Sequence, residues 1–190
     1  TPPEPKETPD ADTIRRQYEE KIDNDHRNLT YWLINAMETN AHSLEVNEIR
    51  LHNQRGSLSV LKAFLVHKDL KCLPRVAMEK ILAYSKWYSL VDGGARWDFK
   101  NRIYNELGED IRLCGLFGCN WYKWDVPANI HYGYVGKAAG FKDIELHCGA
   151  GYAHNVGIAS EEGRLWACFD APKDFAAIRM GIDLYQFTGS

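Results

Sequence analysis

Leu29-Thr30-Tyr31-Trp32-Leu33-Ile34-Asn35-Ala36-Met37-Glu38-Thr39-Asn40 decides the fold class. Leu29, Trp32, Leu33, Ala36 and Met37 recur at the helical period, and Leu44 extends the stripe. Asn40 is a polar residue on that same apolar stripe. Upstream, Ile14, Tyr18 and Ile22 keep helical spacing within a charged stretch. Downstream, a helix is expected over 58–66. Pro74 suits the first turn of another, with Ala77, Ile81, Tyr84 and Tyr88 on one face. Asp92-Gly93-Gly94 stops it. A short helix is expected over 97–107, ended by Gly108, then a Trp- and Tyr-rich loop over 114–127. Residues 132–141 read as helical despite Gly133, Gly136 and Gly140, and residues 155–169 as irregular. Asp170 N-caps a last helix with Pro172 in its first turn and Phe175, Ile178, Ile182 and Tyr185 inward. No alternating run demands a large sheet, and no internal repeat is visible. The expectation is a mainly α, single compact multi-helix domain with irregular Gly- and aromatic-rich loops and at most a small β element.

Charge narrows the function classes. The 190 residues carry 23 Lys+Arg against 26 Asp+Glu. The excess of acid lies wholly in residues 1–12, a segment that also holds Pro2, Pro3, Pro5 and Pro9. Such a stretch cannot bury a core, so 1–12 reads as a flexible tail or linker and 13–190 as the catalytic domain. The neutral body argues against a nucleic-acid partner bound through a basic surface. No apolar run approaches the roughly 18–20 residues of a membrane helix. The chain lacks an initial Met and a signal peptide, which reads as a processed form. Fourteen of 15 glycines and 16 of 23 aromatic residues follow position 90, so turns and large rings concentrate in the second half.

The five cysteines are Cys72, Cys114, Cys119, Cys148 and Cys168. Spacing allows Cys114 to close a small loop with Cys119 and Cys148 to pair with Cys168, both suited to a secreted chain. Zinc spacing is absent. Asn28-Leu29-Thr30 is an N-glycosylation sequon.

Chemistry has three main candidate locations. In Gly93-Gly94-Ala95-Arg96-Trp97-Asp98-Phe99-Lys100, Trp97 can desolvate Asp98, as a general acid requires, and Lys100 can hold a substrate oxygen. The bland alternative is Asp98 as a helix cap and Lys100 as a solvated charge. Ala128-Asn129-Ile130-His131-Tyr132-Gly133-Tyr134-Val135-Gly136 offers hydrogen-bonding groups in Asn129 and His131 and stacking rings in Tyr132 and Tyr134. Against that stands a structural turn with a satisfied histidine. Asp170 and Asp174 lie one helical turn apart, so either supplies a second carboxylate, unless both merely favour the helix start. His147, Cys148 and His154 form a weaker cluster, and Glu38 and Glu145 are acids without an assigned role.

The blocks 97–100, 129–141, 149–151 and 170–184 together resemble the bacterial polymorphic toxin type 44 domain, and Trp32–Ala41 resembles its first helix. The likeness runs from about residue 29 to 187. Phe99 stands where that family commonly has His. In character the chain is also similar to secreted fungal muramidases that can carry SH3-like wall-binding modules on a linker. This resemblance implies a muramidase, cleaving peptidoglycan between N-acetylmuramic acid and N-acetylglucosamine. It implies Asp98 as general acid, Asp170 or Asp174 as the partner, and His131, Asn129 and Lys100 as positioning groups. Tyr132, Tyr134, Trp97 and Trp124 would bind sugar. The expected enzyme is a secreted monomer with no cofactor or metal, partnered by bacterial peptidoglycan and not by nucleic acid or membrane. Two alternatives stand beside it. One is a metal-dependent nuclease toxin, for which Asp98-x-Lys100 is the motif. The other is a wall-binding module without catalysis.

Overall fold

One helix, α5 (Val126–Ala138), is buried on nearly every side and organises the rest. The computed structural model describes residues 11–62, 73–115, 118–156 and 172–188. Before α5 come α1 (Ala11–Ala41), α2 (Leu44–Lys62), α3 (Leu73–Val91), α4 (Lys100–Leu107) and strands β1 (Asp110–Gly115) and β2 (Gly118–Lys123). After it come α6 (Asp143–Val156) and α7 (Pro172–Thr188). The mainly helical expectation with a small β element is what the structure has.

Helix α5 carries glycines because its neighbours come too close for side chains. A Cβ on Gly133 would lie 2.1 Å from the Ile178 carbonyl oxygen of α7. One on Gly181 of α7 would lie 2.0 Å from the Ile130 oxygen of α5. The two backbones therefore cross in direct contact, with Ile178 and Ile182 buried at the crossing. Helix α2 secures the C-terminal end of α5. Arg50 Nε donates to the Ala138 carbonyl (2.6 Å) and Asn53 Nδ2 to that of Ala139 (2.9 Å), satisfying acceptors a helix end leaves over.

Helix α1 buries Leu29, Leu33 and Met37 of the stripe the sequence marks, half-buries its Trp32 and Ala36, and adds Ala41. Its register ends there. Leu44 is exposed and opens α2 after a turn in which the Ser43 hydroxyl accepts from Val46 N (3.3 Å). The hairpin docks on α1 through Arg112 N–H to His26 Nδ1 and Cys114 N–H to Thr30 Oγ1, both 3.0 Å.

Several expectations need correction. The loop over 114–127 is, in its described part, the end of β1, β2 and the start of α5; β2 is exposed or half-buried throughout and β1 fully buries only Ile111, so no apolar alternation announces them. Cys114 faces Cys119 across the hairpin and the two form a disulfide. Helix α6 falls where His147, Cys148, Gly149 and Gly151 depress helix propensity, and went unread. The helix expected over 58–66 is in its described part the end of α2. On α7, Phe175 is exposed while Asp174 points inward. The expected tail lies largely outside the described residues; its last two residues, Ala11 and Asp12, open α1. Among the described residues no helix is long and apolar enough to cross a membrane.

Candidate active site

A cleft of ≈ 1030 Å³ opens between α3, the turn before α4, α5, α6 and the start of α7. Trp97, Asp98, Lys100, Asn129, His131, Tyr132 and Asp174 all line it, so three separate sequence blocks meet in one place. Asp92 and Glu145 add two more carboxylates.

Asp98 is fixed by backbone. The chain turns back after Leu90, whose carbonyl accepts from Trp97 N (2.8 Å), and Gly94 supplies the left-handed conformation at φ 79°. Asp98 Oδ2 then accepts from Gly94 N (2.9 Å) and Oδ1 from Lys100 N (3.2 Å), at the start of α4. Phe99 and not Asp98 is the N-cap of α4, but Asp98 accepts from the first helical N–H, and these bonds aim a half-buried carboxylate at the cleft. Trp97 beside it is buried against Trp87 and His131.

Asp174 sits in the first turn of α7 and is 8% exposed. Asn129 Nδ2 donates to its Oδ1 at 2.9 Å. Asn129 thus orients a carboxylate, the positioning role that the resemblance implies for it. One residue earlier on α7, Lys173 Nζ reaches Asp125 Oδ2 (2.8 Å), tying the N-termini of α5 and α7 together.

His131 is 1% exposed, with Phe99 and Trp97 edge-on to its ring at 4.8 and 5.9 Å. Burial pushes its pKa down to about 3. The imidazole is thus neutral at neutral pH and holds position instead of carrying protons. Its Nε2 accepts from Asn40 Nδ2 (2.9 Å), which leaves the ring proton on Nδ1. Asn40 has no place in the expected site. Its signal was visible, a polar side chain on the apolar stripe of α1, and its partner is 91 residues away.

Tyr132 lines the cleft and donates its hydroxyl to the Leu146 carbonyl (3.1 Å). Glu145 reaches back to Lys142 N (2.8 Å) and accepts from Lys80 Nζ (2.7 Å). Burial would raise its carboxyl pKa, but the Lys142 N–H and the Lys80 ammonium prevail and lower it.

Two expected sugar-binding residues lie elsewhere. Tyr134 is buried edge-on to Tyr185, with its hydroxyl at Thr188, because the face of α5 it occupies meets α7. Trp124 packs on Tyr104 in the small cluster around Leu29, Ile103 and Ile111. Cys148 is disulfide-bonded and His147 stacks on Phe175, so the weaker cluster expected of His147, Cys148 and His154 is taken up by packing and a covalent bond. Asp170, Cys168 and the side chain of His154 lie outside the described residues.

The fold and cleft define a small helical domain with an acid- and aromatic-lined groove. Residues 86–187, more than half of the chain, match the bacterial toxin 44 family, and the chain belongs to that family. The matched span begins inside α3 and includes α4 to α7, so α1 and α2 precede it. No curated protein and no solved structure matches the chain.

Proposed function

We propose that this toxin 44 domain is a muramidase, hydrolysing the glycosidic bond between N-acetylmuramic acid and N-acetylglucosamine. The observation that carries the reading is the convergence of Asp98 and Asp174 on one aromatic-walled cleft. Glycoside hydrolysis uses two carboxyl groups, one giving a proton to the leaving oxygen and one supporting the oxocarbenium-like transition state or activating water. Asp98 is assigned the proton donor. It is the more exposed of the two and can take a proton back from solvent after each turnover. Asp174, buried and bonded to Asn129, is assigned the partner. Lys100 contacts substrate oxygens, Tyr132 supplies an apolar face to the sugar, and the buried Trp97 backs the cleft wall. Delivery outside the cell agrees with the Cys114–Cys119 disulfide, since such bonds persist in oxidising surroundings.

A second reading, a metal-dependent nuclease, draws on Asp98 and Lys100 both lining the cleft. The charge of the cleft disfavours it. Asp92, Asp98, Glu145 and Asp174 line the cleft together with Lys100, and Lys80 offsets Glu145 alone, so acid outnumbers base beside any phosphate that no bound cation screens. Clearing of a purified cell-wall suspension, unchanged by EDTA and lost in Asp98→Asn, is the expected result. Nucleic-acid cleavage that EDTA abolishes, with no clearing of walls, would replace the proposal by the nuclease.

A further inference from the structure

Resting on the muramidase reading, we infer that the cleft continues into a distal subsite built on Tyr84 and Tyr88 of α3, so that the protein selects long glycan strands over short ones. The face of α3 that lines the cleft runs from Ile81 through Tyr84, Ser85 and Tyr88 to Val91. At 1.5 Å per residue that wall is about 15 Å long. Asp92 follows Val91 directly, and the Trp97 N–H to Leu90 carbonyl bond brings Asp98 back beside the same C-terminal end. Ile81 and Tyr84 therefore lie well beyond the bond being cut, farther than one sugar ring extends.

Chemistry along this wall fits further sugar units. Helix α3 turns Ala83, Trp87 and Leu90 to the core, yet leaves Ile81, Tyr84 and Tyr88 exposed at 59%, 39% and 53%. Large rings left in solvent on a cleft wall mark a binding surface more than a packing defect. Tyr84 and Tyr88, one helical turn apart, stand about 6 Å from each other along the axis. That repeat is close to one pyranose, and the exposed part of each ring is apolar surface of the kind sugars pack on. Tyr84 is backed by Phe141 at 5.2 Å and 33°, which keeps its ring from swinging away. Glu145, held by Lys80 and Lys142, supplies a carboxylate acceptor for hydroxyl and amide N–H groups beside that ring. The cleft volume lies at the upper end of small-molecule pockets, as an oligomeric ligand requires.

The test uses the full chain and glycan fragments of peptidoglycan with four and eight sugars. Expected for the unaltered protein is a kcat/KM at least 10-fold higher on the octasaccharide. Tyr84→Ala and Tyr88→Ala should each bring that ratio towards one, and Tyr84→Phe should restore it. Tyr104→Ala, on α4 and outside the cleft, should keep it. An equal kcat/KM on both lengths, or a ratio unmoved by either alanine, overturns the subsite. If neither fragment is cleaved, the muramidase reading falls, and fluorescence titration with the same two fragments decides the subsite by itself. Tighter binding of the longer one, lost in Tyr84→Ala, upholds it, and equal affinity or no loss overturns it.

Discussion

His131 is the residue at which burial and function meet most plainly. Its folded pKa of about 3 lies below the ordinary 6.5, so the unfolded chain takes up the proton first as pH falls. The stability this neutral, buried ring confers is complete above about pH 6.5 and declines as pH drops towards 3. At pH 5 the loss relative to pH 7 is about 2 kcal/mol. Urea unfolding at the two pH values measures it, and nitrogen-detected NMR of the imidazole should show Nδ1 protonated with no titration above pH 4. A midpoint near 6 would contradict the burial. Asp98→Asn should lower wall lysis by at least about 100-fold while far-UV circular dichroism is unchanged, the scale expected of an acid–base group. Asn129→Ala removes the bond that orients Asp174, so kcat should fall by a smaller factor with KM little changed.

Elements explain why some of this was legible and some was not. Helix α1 has one wet face, so its apolar period survives in the sequence and Leu29, Leu33 and Met37 announce the core. Helix α5 is buried on nearly every side, so no period remains, and the sequence reads it as helical only from residue 132 and in spite of glycines that in fact serve a backbone crossing. The hairpin buries little and is closed by a disulfide, so patterning hides it. Of the site, Asp98, Lys100, Asn129, His131, Tyr132 and Asp174 were marked by residue type and by likeness to toxin 44. Tyr134 could not be separated from them, because which face of α5 meets α7 is decided by tertiary packing alone. Gly181→Ala therefore tests the element. The added methyl has no room against the Ile130 carbonyl, and the expected cost is about 3 kcal/mol or loss of folding, read by thermal melting. Unaltered stability would mean that α5 and α7 do not touch. Replacing both Cys114 and Cys119 by Ser should cost about 2 kcal/mol, the entropy of so short a loop, with lysis retained below the lowered Tm.

For the whole molecule, the architecture brings acids from the turn before α4 and from α7 to one wall-lined groove, and α5 is the strut between them. The rigid crossing of α5 with α7 sets where Asp174 stands, and Asn129 on α5 gives it its orientation. Mass analysis of fragments released from purified peptidoglycan measures the consequence directly. New reducing ends at N-acetylmuramic acid, produced by the unaltered chain and not by Asp174→Asn, are the result expected. Intact glycan strands after prolonged incubation, or cleavage confined to peptide bonds, would contradict a glycosidase at this cleft.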